Sequence, residues 1–157
     1  MNIKLLCVGK TDNKQLQALI DTYSKRLNFY VKYSIEILPD IKNVKNLSEQ
    51  EQKNKEGDLI LSKIGPYDHL LLFDENGKTF TSVGFSKFLQ KKMNSGIKTL
   101  VFVIGGPYGF SQEVYAKAQG KVSLSSMTFS HQMVRLFITE QIYRGYTILK
   151  GEPYHHQ

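Results

Sequence analysis

The stretch FITEQIYRGY, residues 137–146, places a carboxylate and a guanidinium four positions apart at Glu140 and Arg144. At that spacing the two share a helix face and can pair. Most such pairs are surface contacts of little consequence. Here apolar neighbours surround the pair, which predicts a partly buried or interfacial position where it can hold a polar substrate. The chain then ends in GEPYHHQ. Tyr154 can stack on a base, and His155 can donate or accept a proton near neutral pH.

A second candidate lies in VFVIGGPYGF, residues 101–110, where four apolar β-formers run into Gly105-Gly106-Pro107-Tyr108-Gly109. Open α/β sheets bind ligands beyond the carboxyl ends of their strands. Glycines there let backbone amides approach a ligand; a tight strand-to-helix turn with no ligand fits the same residues. The dinucleotide fingerprint is absent, because the spacing is G-G-x-x-G and Ser125 and Ser126 stand where its acid belongs. Gly9-Lys10-Thr11 and Gly77-Lys78-Thr79 imitate the end of a phosphate loop, but Lys4 and Leu72 replace its earlier glycine. There is no C-x-x-C pair, and His155-His156 lacks metal-ligand spacing, so no metal is expected. A hydrolase elbow of the form G-x-S-x-G is missing too. The stretch LSSMTFSHQM, residues 124–133, is small and uncharged before its histidine. It can wrap an uncharged ring, although an edge strand followed by a helix cap is the simpler reading.

The elements that must carry these residues alternate. Strands are predicted over residues 3–8, 31–38, 69–73, 99–104 and 122–124. Helices are predicted over 15–27, from a Ser48/Glu51 capping box to 64, over 83–93, from Ser111, and from Ser130 to 150. The DENGK that follows the third strand predicts a turn with positive φ at Asn76-Gly77. The pattern implies a single domain over residues 1–157, an α/β fold with a mostly parallel central sheet flanked by helices. In the last helix apolar side chains ring the axis from Met133 to Leu149. A helix apolar all round is covered on more than one side, which predicts the sheet beneath it and a second protomer above, hence a homodimer.

Lys plus Arg number 21 against 14 Asp plus Glu, for a net charge of +7. That excess suits a polyanionic partner such as nucleic acid, but it is spread evenly and argues for one only weakly. The single cysteine, Cys7, falls in an apolar strand and reads as a core residue. No apolar run approaches the roughly 20 residues needed to span a bilayer, and the start lacks a signal-peptide cleavage pattern. A cytoplasmic protein without membrane association is expected.

Taken together, VFVIGGPYG, LSSMTFSHQMVR, EQIYRGY and the ending GEPYHH resemble the RlmH family of ribosomal RNA methyltransferases, small members of the SPOUT class. IKLLCVGK, YSKRL, and KEGDLIL followed by LLLFDENGK extend the resemblance over essentially the whole chain. It implies a SPOUT fold with a deep trefoil knot at its C-terminal end, acting as a homodimer. It further implies methylation of N3 of a pseudouridine in 23S rRNA, within the large ribosomal subunit or ribosome, using S-adenosyl-L-methionine and no metal. Carried over position by position, the cofactor contacts fall at Phe73, Gly105 with the adjoining Gly106, Leu124, Ser125, Ser126, Met127, Thr128 and Phe129. The RNA-side and catalytic positions are His131, Glu140, Arg144, Tyr154 and His155, with one protomer's tail expected at its partner's cofactor. His155 and Glu140 are both candidates to take the N3 proton. Relatives often carry Pro where this chain has Ser130 and a basic residue where it has Ser126, and His156-Gln157 lengthens the tail. The competing reading is a basic α/β dimer that binds RNA or a nucleotide without chemistry.

Overall fold

The computed structural model describes residues 1–156. Strands β1 (Asn2–Val8), β2 (Tyr33–Leu38), β3 (Asp68–Thr79), β4 (Thr99–Ile104) and β5 (Gly120–Ser123) form one sheet in the order β2-β1-β4-β3-β5. Every pairing is parallel. Runs such as LLLF and LVFVI are apolar at successive positions because a parallel sheet is buried on both faces. Alternate side chains go to opposite layers. Leu5 and Phe102 join one core with residues of α1 (Lys14–Leu27), α3 (Ser82–Asn94) and α5 (His131–Leu149). Leu6 and Val103 join the other, with Ile60 of α2 (Glu49–Ser62) and Val114 of α4 (Gln112–Lys117).

The helix starts follow from capping chemistry. Ser48 and Glu51 satisfy one another's backbone amides at α2, and Ser130 Oγ accepts from Met133 N at 3.1 Å to open α5. The polar stretch before α2 holds only a short 3-10 turn at Val44–Asn46.

Two expectations need correction. Asn76-Gly77 is not a turn: β3 runs on to Thr79, and neither residue has positive φ. Its register against β5 shifts between Phe73 and Lys78, a bulge in the strand. Gly77 is there because β5 passes so close. A Cβ on it would stand 2.5 Å from the carbonyl carbon of Val122. Likewise, the second cover over α5 comes in large part from the chain itself, since α1 and α3 both pack against it above the sheet. The helical wheel sees two covers and cannot tell a neighbouring helix from a partner. Met133 remains 39% exposed, and Met127, just before the helix, 74%.

After β5 the chain turns back across the carboxyl ends of the strands to the end of β1. Gln132 Nε2 donates to Lys10 O at 3.0 Å, and Asp12 N donates to Gln132 Oε1 at 3.1 Å. Arg135 fixes the crossing more firmly. It is 2% exposed, and it donates to Val8 O at 2.8 Å, Thr11 Oγ1 at 3.0 Å and His131 O at 3.2 Å.

Candidate functional site

The crossing segment closes a cavity of about 410 Å³ over the carboxyl ends of β3, β4 and β5. Its floor is the glycine loop. Gly105 is packed so tightly that a Cβ would lie 3.0 Å from the ring of Phe110, and Gly109, at φ +80°, closes the turn with its N donating to Gly106 O at 3.2 Å. The opposite wall is the loop after β5. Its own serines hold it: Ser123 Oγ donates to Ser125 O at 3.0 Å, and Met127 N donates to Ser125 Oγ at 2.9 Å. Phe129 is anchored by Phe137, with ring centroids 5.1 Å apart. Phe73, Gly105, Gly106, Leu124, Ser125, Met127, Thr128, Phe129 and His131 all line the cavity; Ser126 is exposed and does not.

The third wall was not legible beforehand. Tyr115 of α4 donates its hydroxyl to Asp74 Oδ2 at 2.5 Å, tying the helix after the glycine loop to β3. Burial, reinforced by that bond, pushes the Tyr115 hydroxyl up to about 12. The pair is 41 residues apart in sequence, with no local pattern to announce it. With Glu75 and His131, Asp74 supplies the charge and proton chemistry of the cavity. None of the described residues lining it is Lys or Arg.

The other four candidates gather elsewhere. Arg144 donates from Nε at 3.0 Å and from a terminal nitrogen at 2.6 Å to the single oxygen Glu140 Oε1, a charge-assisted clamp. Tyr154 Oη donates to the same oxygen at 2.8 Å and lies 3.3 Å from Tyr23 Oη. Gln141 Nε2 satisfies Glu140 Oε2 at 2.8 Å. His155 Nδ1 lies 3.3 Å from Arg144. Arginine has only donors, so Nδ1 is the accepting atom of this contact. The Arg144 guanidinium also stacks 4.7 Å from the Tyr154 ring. Burial works against the Arg144 charge, but the hydrogen bond and charge of Glu140, with Tyr154 and Tyr23, together outweigh it and raise its pKa. Burial, with the bonds to Tyr23 and Glu140, also raises the Tyr154 pKa. The tail is thus packed rather than frayed. Tyr143 helps to seat it, its ring 4.8 Å from Tyr154 and 5.8 Å from Tyr23.

His131 therefore parts company with the rest. It opens α5, whereas Glu140 and Arg144 stand further along the same helix. At the rise of an α-helix Glu140 lies about 13 Å away along the axis and Arg144 about 20 Å away. Within one chain the cavity and the clamp occupy different ends of one helix.

The family described as "Predicted SPOUT methyltransferase" matches residues 1–155. The chain belongs to the SPOUT methyltransferase family. Relatives named "Ribosomal RNA large subunit methyltransferase H" cover the whole of both sequences, at 75% identity in Flavobacterium johnsoniae, 63% in Christiangramia forsetii and 49% in Bacteroides thetaiotaomicron. The RlmH resemblance read from the motifs is thereby borne out. A solved structure of a probable methylase family protein from Haemophilus influenzae matches 96% of this chain and 66% of its own, with a TM-score of 0.53 and 8% identity, and so shares the fold. Membership in a SPOUT methyltransferase family calls for a methyl donor.

Proposed function

We propose that this SPOUT methyltransferase transfers a methyl group from S-adenosyl-L-methionine to N3 of a pseudouridine in 23S rRNA, as a cytoplasmic, single-domain homodimer. The charge of the cavity carries the reading. In a chain with 21 Lys and Arg, the glycine-loop cavity has acids and no cation among its described lining residues. A nucleotide or phosphate would want the reverse. A donor with a positive sulfonium suits it, and Gly105, Gly106 and the uncharged 124–129 loop would hold it. The names of the relatives support ribosomal RNA as the acceptor. The return of the chain across the strand ends is the segment we assign to the C-terminal knot.

When bound, the donor supplies a methyl group already activated by positive sulfur. The chain's own residues then align the acceptor and manage its proton. Arg144, oriented by Glu140, is placed to hold developing negative charge on a base oxygen. Tyr154 packs against that clamp and can seat the base. Of the two candidates for the N3 proton, the hydrogen bonding favours His155. Both oxygens of Glu140 are engaged, whereas His155 Nδ1 has only a 3.3 Å contact to give up. The separation along α5 supports a composite active site, with the clamp of one protomer facing the cavity of the other. Exposed Met127 and Met133 beside the cavity provide apolar surface for such an interface.

The test is methyl incorporation into ribosomes by Arg144→Ala and His155→Ala. Each is expected to fall by a factor of about 10² or more, with dimers and donor binding intact. A mixed dimer of one Arg144→Ala chain and one Gly105→Leu chain is expected to regain activity through its single intact site. Near-normal turnover of the single variants would remove both residues from the mechanism, and an inactive mixed dimer would place the whole site in one protomer.

A further inference from the structure

Glu56 of α2 has no part in the scheme above, yet it lies directly against the glycine loop. It is 3% exposed. Its Oε1 accepts from Gln52 Nε2 at 3.0 Å, and its Oε2 has no hydrogen-bond partner among the described residues. A Cβ on Gly106 would stand 2.2 Å from Oε2 and 2.6 Å from Oε1, so the Gly106 backbone rests on the carboxyl group with nothing between them. Gly106 itself lines the cavity and Glu56 does not. One thickness of backbone separates a buried acid from the ligand space.

A buried carboxylate is costly unless a cation or donors compensate it. None of the described Lys or Arg residues forms an ion pair with Glu56. The charged and titratable groups that act on it from neighbouring elements are Asp40, a like charge beyond β2, and His131 at the start of α5. Burial raises its pKa, Gln52 opposes that, Asp40 adds to it and His131 offsets it. Among the described residues His131 is the one group that offers the acid any counter-charge, and it does not cancel the cost of burial.

Resting on the reading of the cavity as a sulfonium-donor site, we infer that Glu56 is a counter-charge for the cationic ligand, acting through Gly106 without touching it. Methyl transfer turns a positive sulfonium into a neutral thioether. A fixed negative charge behind the loop therefore favours donor over product, and Glu56 is a specificity-determining residue for the exchange of one for the other.

The experiment is calorimetric binding of S-adenosylmethionine and S-adenosylhomocysteine to the full chain, wild type and Glu56→Gln. Glutamine keeps the shape and the contact with Gln52. The variant is expected to bind the donor about five- to tenfold more weakly and the product within twofold of wild type. An equal loss for both ligands, or none for either, overturns the inference and leaves Glu56 a packing residue. Should Glu56→Gln fail to fold, wild-type titrations at mildly acidic pH in buffers of different ionisation heat replace it. More protons released by donor than by product supports the inference, and equal release overturns it. Wild-type protein that binds neither ligand overturns the donor reading and this inference with it; wild-type binding with an unchanged ratio in the variant overturns this inference alone.

Discussion

Replacing Gly77 by alanine tests how the sheet edge positions the ligand loop. The backbone at Gly77 lies outside the positive-φ region, so alanine brings no conformational strain of its own. Its methyl group would stand 2.5 Å from Val122 C, 2.7 Å from Val122 N and 2.8 Å from Ser123 N. Carbon contacts settle at about 3.5–4.0 Å, so β5 must retreat by about 1 Å. The obstructing atoms are backbone and cannot rotate away. Retreat opens the Lys78–Val122 and Thr79–Ser123 pairings. Overpacking costs about 1–3 kcal/mol, and weakened ladder bonds add about 1 kcal/mol. A loss of about 2–4 kcal/mol corresponds to a fall in Tm of roughly 5–15 °C for a domain of this size. Because β5 leads straight into residues 124–129, donor affinity falls too. Urea unfolding beside Gly96→Ala gives the comparison. Gly96 has φ +77° and nothing within 4 Å of an added Cβ. Alanine there brings only left-handed strain, about 1–2 kcal/mol. The reasoning is refuted if Gly77→Ala costs no more than Gly96→Ala and binds donor as wild type does.

Arg135→Ala empties a buried site and strips Val8 O and Thr11 Oγ1 of a donor. It should cost about 3 kcal/mol or more in urea unfolding; a loss under about 1 kcal/mol would show that the crossing is held by other contacts. Stability should also carry a pH signature from Glu56. Its raised pKa means the folded chain holds the proton more tightly than the unfolded one. Its contribution is therefore full below the ordinary carboxylate range and is lost as pH rises through the raised value. Unfolding free energies of wild type minus Glu56→Gln, measured from about pH 4 to 7, should fall with rising pH; a flat difference removes Glu56 from the balance.

Local chemistry explains which parts were legible in the sequence. Strand 99–104, the capping box at Ser48/Glu51 and the cap at Ser130 are decided by residues within a few positions of one another, and the structure places them as expected. Asn76-Gly77 misled because the same dipeptide suits a tight turn and a strand that another backbone must approach; only the path of β5 separates the two. The Tyr115–Asp74 tie, the burial of Arg135 and the seating of Tyr154 against Tyr23 join segments distant in sequence, and a periodicity carries no trace of them.

Charge shows the same limit most sharply. Along the chain the basic surplus is even, which makes nucleic-acid binding only a weak inference. In space the cavity stands apart from that surplus. The fold brings Asp74 and Glu75 of β3 and the hidden Glu56 of α2 close to the glycine loop, while none of the described Lys or Arg residues lines the cavity there. A single basic domain can thus offer a polyanion its outer surface and still keep an acidic site for a cationic donor. On the proposed reading the two requirements do not compete, because the acidic cavity and the outer surface are different places. The clamp at Glu140 and Arg144 follows the same division. Its guanidinium sits more than three helical turns along α5 from His131, so on the proposed reading it can meet an anionic acceptor without neutralising the cavity of its own chain.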